Sequence, residues 1–308
     1  MKYEKKSQRI FFTHARKIAL GFFLIIIVGT LLLMLPISSR SGEWTSLVNA
    51  LFTATSATCV TGLVVFDTYQ YWSIFGQLVI IVLIQIGGLG FITFGVGFSM
   101  FLKRKIGLAK RNLIQESVSA LKLAGVVKLV KKIIIGTAIF EGIGAVLLAI
   151  RFVPKMGLLV GIYNAVFHSI SAFCNAGFDL MGRYEQYSSL TVYSSDIVIN
   201  ITIMLLIIIG GLGFIVWDDI WHNRLNFKKY SLHSKIVLIS TTVLVFGSAI
   251  LFGIFENNNL MQNMNPLEKV LASLFASVTA RTAGFNTIDL GAMTQSSKLL
   301  TDVLMFIG

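Results

Sequence analysis

Three stretches place small and polar residues ahead of a glycine: SATCVTGL at 56–63, SAFCNAGF at 171–178 and VTARTAGF at 278–285. Their glycines, Gly62, Gly177 and Gly284, lie 115 and 107 residues apart. None of the stretches holds an Asp or Glu, so they cannot build the carboxylate ring that draws divalent ions. What they offer is backbone oxygen. Glycine enters left-handed conformations without a steric penalty, so carbonyls around it can turn to one side and replace the water shell of a monovalent cation. A lone Thr-x-x-Thr-Gly is weak, since a single loop glycine is more often a turn. Three copies make a repeat. The chemistry they suit is a cation filter built from Thr58, Cys59, Val60, Thr61 and Gly62, from Phe173, Cys174, Asn175, Ala176 and Gly177, and from Ala280, Arg281, Thr282, Ala283 and Gly284.

The elements that must hold these stretches are membrane helices. Of the 308 residues 55% are hydrophobic and 13% charged, against about a quarter charged in ordinary soluble domains. Uncharged apolar runs cover Ile18–Leu35, Ile74–Leu102, Ile197–Val216 and Ile236–Phe255, and Ile133–Ile150 is interrupted only by Glu141. Each has about the 17–25 residues that cross the hydrocarbon core as a helix. The first run is too long for a cleaved signal and lacks a small-residue cleavage site. Two cysteines and four scattered histidines give neither a disulfide framework nor metal spacing, so no cofactor is expected beyond the transported ion.

Charge sets the topology. Nineteen of the 26 Lys and Arg fall in residues 1–17, 102–132 and 218–235, and the positive-inside rule assigns all three segments, with the N-terminus, to the cytoplasm. This clustering between apolar spans suits topology and anionic lipid better than nucleic acid, despite a net charge of +12. It also fixes the path of the first filter stretch. A third crossing before residue 102 would put nine positive charges outside, so Ser46–Ala57, ~18 Å as a helix, must dip in and return on the same side. Backbone that turns at membrane depth is tolerated only inside protein or beside a watery cavity.

The same order recurs: an outer helix, a short segment (Val48–Ala57, Tyr163–Ala172, Leu267–Thr279), a glycine loop, then an inner helix, with IGGLGF at Ile86–Phe91 and again at Ile209–Phe214. Asp67 and Asp289 both lie five residues after their glycines. The expected fold is therefore all-α and polytopic, with repeated helix–re-entrant pore loop–helix units around a central pore axis. Its divisions are a cytoplasmic N-terminus at 1–17, a first repeat at 18–102, a basic linker at 103–132, a second repeat at 133–217, a basic linker at 218–235 and a third repeat at 236–308. Ile307-Gly308 aligns with Ile86-Gly87 and Ile209-Gly210, so the third inner helix is expected to be incomplete and a fourth repeat absent.

These repeats, with IGGLGF, SAFCNAGF and TARTAGFNTIDL, resemble the Trk/Ktr/HKT superfamily of potassium transporters, and the LPIS after the first span is most similar to the Ktr-type (KtrB-like) membrane subunit. The resemblance runs over essentially the whole chain, truncated after about two and a half of four repeats. It implies four units around one pore, a potassium pathway with sodium as a coupling or activating ion, a homodimer in the cell membrane, and a cytoplasmic nucleotide-binding regulatory ring (KtrA-like) as partner. In that family glycine at the filter position of every unit goes with potassium preference, and Gly62, Gly177 and Gly284 match. A single glycine per loop also implies fewer stacked ion sites than in tetrameric potassium channels.

Other residues are open to plainer readings. Arg281, three residues before Gly284, either repels ions or braces the filter by donating to carbonyls, and the second is preferred because a charge at this depth needs partners. Glu141 is its counter-charge or an interhelical hydrogen-bonding acid. Cys59 and Cys174 read as small packing residues, His168 as a packed imidazole, and the GGLG runs as close helix contacts rather than nucleotide loops. No acid, base, nucleophile and ligand gather at one depth, so an enzyme is not expected. The reading is a membrane translocation subunit for potassium uptake, and the alternative is an incomplete, non-conducting fragment of such a transporter.

Overall fold

The computed structural model describes residues 14–90, 93, 126–224 and 226–307. Eleven α-helices account for most of them: α1 (His14–Met34), α2 (Leu47–Cys59), α3 (Thr68–Tyr71), α4 (Ile74–Leu89), α5 (Val126–Met156), α6 (Leu158–Phe173), α7 (Ile197–Gly211), α8 (Phe214–Asn223), α9 (Leu232–Glu256), α10 (Pro266–Thr279) and α11 (Gln295–Ile307). Among the described residues there is no β-strand. Among the described residues two helices are long and apolar enough to cross a membrane, Val127–Met156 and Leu232–Glu256, or three if the bent pair α7 and α8 is one span. Residues 1–13, linker residues 103–125 and the far part of the run read as Ile74–Leu102 lie outside the described residues, residue 93 excepted.

Two boundaries differ from the sequence reading. α5 is already helical at Val126, the first residue described after 93 and seven positions ahead of Ile133; Leu129, Val130 and Ile133 continue one apolar face, so Lys128, Lys131 and Lys132 belong to the helix rather than to a linker. The run Ile197–Val216 is not one helix. It breaks after Gly211, and α8 leaves at 95° to α7, with Gly213 at φ 85°, a conformation that an L-residue resists.

In each unit the end of the outer helix is pinned to the start of the inner one. In the first, Ser73, the N-cap of α4, donates its amide to Ser38 O at 2.9 Å and its hydroxyl to Ile37 O at 2.5 Å, just beyond α1. Thr45, about to enter α2, donates to Met34 O at 3.2 Å. In the second, Arg151 on α5 pairs at 2.7 Å with Asp196, the N-cap of α7. In the third, Glu256 ending α9 accepts from the amide and hydroxyl of Thr294, 2.8 Å each, immediately before α11. The chain therefore leaves and returns at one end of each outer helix, and the short helices α2, α6 and α10 fill the interval.

Buried contacts join the units sideways. Trp72, Ile80 and Ala54 of the first pack with Phe167 and Phe178 of the second, while Phe152 and Tyr193 of the second pack with Phe275 and Phe285 of the third. Outer faces stay apolar and exposed, as at Phe23, Val146, Val243 and Ile250. Such a surface suits a lipid solvent. The three glycine loops are consequently held inside the bundle by side chains of neighbouring units.

Candidate functional site

Each short helix ends in the loop that carries its glycine. At the end of α2, Val60 donates to Ala57 O at 3.3 Å and Thr61 to Ser56 O at 2.9 Å; at the end of α6, Asn175 donates to Ala172 O at 3.1 Å and Ala176 to Ser171 O at 2.8 Å. These paired closures form a Schellman motif, which needs a left-handed residue just past the helix. Val60 and Asn175 fill that position at φ 58° each, and Thr282 takes φ 64° in the third unit. There the closure differs, with Ala283 donating to Thr279 O at 3.0 Å. Valine and threonine are uncommon in this region because the branched Cβ crowds the backbone. Sequence reasoning placed these three residues in the filter stretches but not in left-handed backbone, and only Asn175 belongs to a type that signals the conformation.

Two residues later comes the glycine, also left-handed: Gly62 at φ 75°, Gly177 at 69° and Gly284 at 81°. The three meet. A Cβ on Gly62 would stand 2.7 Å from Ala176 O, one on Gly177 2.6 Å from Ala283 O and 2.9 Å from Gly284 Cα, and one on Gly284 3.1 Å from Gly177 Cα. At Gly62 and Gly177 a side chain would run into backbone, which cannot swing aside as a side chain can. Hydroxyls brace the loops from behind, with Ser171 donating to Phe178 O at 2.6 Å and Thr279 to Phe285 O at 2.5 Å. Among the described residues no hydrogen bond reaches the carbonyls of Cys59–Gly62, Cys174–Gly177 or Thr282–Gly284. Cys59, Thr61, Thr282 and Gly284 are exposed and Val60, Gly62, Cys174 and Asn175 half-buried, so most of this unpaired backbone is open, where water or an ion can serve as the partner that a buried carbonyl would need from protein.

The inner helices press on the short ones through their glycine pairs. A Cβ on Gly87 would fall onto Thr58 O, and one on Gly210 onto Phe173 O. Both carbonyls sit four residues before a filter glycine. A Cβ on Gly88 would meet Cys174 Sγ at 2.6 Å. The third glycine of each run, Gly90 or Gly213, takes φ 77° or 85° and ends the helical path. The hexapeptide thus carries close packing at its first glycine and a helix break at its third.

Polar side chains behind the loops divide differently from the sequence expectation. Glu141 accepts from Gln85 Nε2 at 3.2 Å, and Cys174 Sγ lies 3.8 Å from Gln85 Oε1, so an inner helix, an outer helix and a filter loop from two units share one contact chain. Among the described residues no ion pair joins Glu141 to Arg281. Arg281 Nε is buried and has no hydrogen-bond partner among them, so the expected bracing by that atom is not part of this geometry. Cys59 and Cys174 are both free. His168 Nε2 accepts from Leu180 N at 3.3 Å, which leaves Nδ1–H to donate to Asn164 O at 2.7 Å. The imidazole is fully occupied by backbone.

Asp67 and Asp289 share an offset but not a role. Asp67 is buried, and its Oδ1 accepts from Tyr69 N and Gln70 N while Oδ2 accepts from Tyr187 N, all at 2.9 Å. It therefore joins the loops of the first and second units. Asp289 is exposed and caps only Gly291 N at 2.8 Å.

A sequence profile of the TrkH family, described as "Cation transport protein", matches residues 3–308. The chain is 43% identical over 305 residues to the potassium/sodium uptake protein NtpJ of Enterococcus hirae, covering 99% of this chain and 66% of that protein. It is 44% identical over 308 residues to the Ktr system potassium uptake protein B of Bacillus subtilis, covering 99% and 67%. For the protein of the same name from Vibrio alginolyticus the identity is 40% over 296 residues, covering 95% and 64%. Among solved structures, the potassium transporter TrkH from Vibrio parahaemolyticus superposes with a TM-score of 0.67 over 99% of this chain and 58% of that one, at 15% identity, which speaks to the fold alone. Because these matches run over nearly the whole chain, they give the expectation of truncation no support; in length, the chain spans about two thirds of the curated relatives it matches.

Proposed function

Since the chain belongs to the TrkH family of cation transport proteins, we propose that it is the membrane translocation subunit of a potassium uptake system. Ions pass between the carbonyls of Thr58–Gly62, Phe173–Gly177 and Ala280–Gly284. The observation that carries this reading is the meeting of Gly62, Gly177 and Gly284 in left-handed backbone, beside carbonyls with no hydrogen bond among the described residues. Each loop follows the C-terminal end of a short helix, where the backbone dipole is negative and favours a cation. Neutral loops with one glycine each suit a monovalent ion held by oxygen dipoles rather than by charge. Glu141 supports the second filter loop from behind, through Gln85.

The relatives' names extend the proposal to partners. The name Ktr system potassium uptake protein B speaks of a system with more than one component, and to it we add a homodimer and a cytoplasmic nucleotide-binding ring docked against the basic segments 103–132 and 218–235. The name potassium/sodium uptake protein brings in sodium as an ion taken up, and to this we add a coupling or activating role for it. With the N-terminus in the cytoplasm, both basic segments face that ring and the anionic inner leaflet.

The test is Gly62→Ser in a potassium-uptake-deficient bacterium. The chain is expressed alone and joined to the last third of the Enterococcus relative, at matched membrane levels. A serine at φ 75° strains the loop, and its Cβ presses on Ala176 O. Potassium uptake is expected to fall relative to sodium uptake in whichever form conducts. Unchanged competition between the ions would remove Gly62 from the filter.

A further inference from the structure

A cavity of about 890 Å³ lies between the first half of α5, the end of α7 and α8, and two of the rings that line it, Phe140 and Trp217, lie 6.4 and 5.5 Å from that of Phe173. Its walls are apolar, from Ile135, Gly136, Ile139, Ile209, Leu212 and Phe214. Its rim is basic, from Lys128, Lys131, Lys132 and Arg224. Asp218 is the one acidic residue among the described residues that line it, and that carboxylate is taken by Lys132 Nζ at 2.8 Å, with His222 Nδ1 at 3.4 Å. Among the described residues Lys128, Lys131 and Arg224 therefore keep their positive charge over an apolar slot.

The dimensions fit one leaflet. From Lys128 to Phe140 the helix rises ~18 Å, against about 15 Å for half the hydrocarbon core. α8 turns 95° from α7, so it runs across the foot of the span rather than along it. Trp217 is anchored there, its Nε1 donating to Ile209 O at 2.9 Å and its ring 5.1 Å from that of Phe140. Trp221, one turn on, is largely exposed. Tryptophan at this level is the usual marker of the headgroup zone. A soluble ligand would not need an apolar slot of this depth, flanked by the exposed Ile135 and Ile139, and a bare anion would not need the slot at all.

We propose that this cavity is a binding site for an anionic phospholipid of the cytoplasmic leaflet, with its phosphate against Lys128, Lys131 and Arg224 and an acyl chain between α5 and α7. Charge complementarity selects the anionic headgroup, and the apolar depth selects a lipid over free phosphate. Occupancy would brace α8 and, through Trp217 and Phe173, whose rings lie 5.5 Å apart, the second glycine loop. The proposal rests on the reading of the chain as a membrane protein but not on its filter, so a failed uptake test leaves the following test readable.

The chain is purified in detergent, equilibrated with equal amounts of dioleoylphosphatidylglycerol and dioleoylphosphatidylcholine, and examined by native mass spectrometry. The wild type is expected to retain phosphatidylglycerol in preference to phosphatidylcholine. K128Q/K131Q is expected to reduce that retention at least tenfold, whereas K228Q/K229Q, which removes the same charge outside the cavity, leaves it within twofold. Ile139→Trp, which fills the slot while keeping every charge, is expected to abolish it. Equal losses in both lysine pairs, no preference between the two lipids, or retention unchanged by Ile139→Trp would each overturn the site. So would a wild type that retains neither lipid because a second copy or residues 91–125 fill the cavity.

Discussion

Replacing Gly177 with alanine adds one carbon where the backbones of the second and third units meet. Holding an L-residue at φ 69° costs about 1–2 kcal/mol. The new Cβ would also stand 2.6 Å from Ala283 O and 2.9 Å from Gly284 Cα, inside contact distance, and neither obstacle is a side chain that can swing aside. Overpacking of this kind costs about 1–3 kcal/mol. Together the terms come to roughly 2–5 kcal/mol, or about 4–10 °C in the unfolding midpoint for a chain of this size. The strain is relieved chiefly by moving the Ala283 carbonyl, so ion binding should suffer with stability. The assay is thermal unfolding of the purified chain in potassium and in sodium chloride at equal ionic strength, since an ion that binds only the folded state raises the midpoint. Gly177→Ala should lower the midpoint and erase the difference between the two salts. Gly142→Ala, in α5 with nothing within 4 Å of the added carbon, is the control and should be neutral or slightly stabilising. A Gly177→Ala protein with the wild-type midpoint and the wild-type response to potassium would refute the close approach and the role drawn from it.

The glycine pair of the inner helix should separate in the same assay: Gly210→Ala, whose Cβ falls onto Phe173 O, should fail to accumulate or lose many degrees, while Gly213→Ala, with open space around it, should lose only the ~1–2 kcal/mol of its left-handed backbone. Asp67→Asn keeps the size of the side chain but turns an amide N–H toward at least one of the three backbone donors now facing the carboxylate. A fall of about 1–3 kcal/mol in denaturant unfolding is expected, and Asp289→Asn, on the exposed loop, should change it by less than ~0.5 kcal/mol. At Glu141, glutamine preserves shape and the contact with Gln85, so Glu141→Gln should retain most ion uptake. Glu141→Ala leaves Gln85 Nε2 without its acceptor and should lose stability by about 1 kcal/mol or more; equal behaviour of the two variants would dismiss the contact chain behind Cys174.

Membrane character, the glycine repeat and the placement of charge are written into local composition, because a span must be apolar for its whole length whatever it packs against. The pairing of a short helix with a left-handed glycine could likewise be read from neighbours in sequence. What only the tertiary structure decided is how separate segments meet. The outer and inner helices of the three units are pinned by Ser38 and Ser73, by Arg151 and Asp196, and by Glu256 and Thr294, three chemistries with no common motif to search for. Asp67 and Asp289 share an offset, yet burial against the second unit makes one a clamp and leaves the other a surface cap. The break at Gly213 was hidden by an apolar run, since hydropathy records what a residue dissolves in and not the sign of its φ angle. The meeting of Gly62 with Ala176, and of Gly177 with Gly284, is a contact between residues more than a hundred positions apart, and the physical reason for glycine there, the absence of room for a Cβ, exists only once those backbones are side by side.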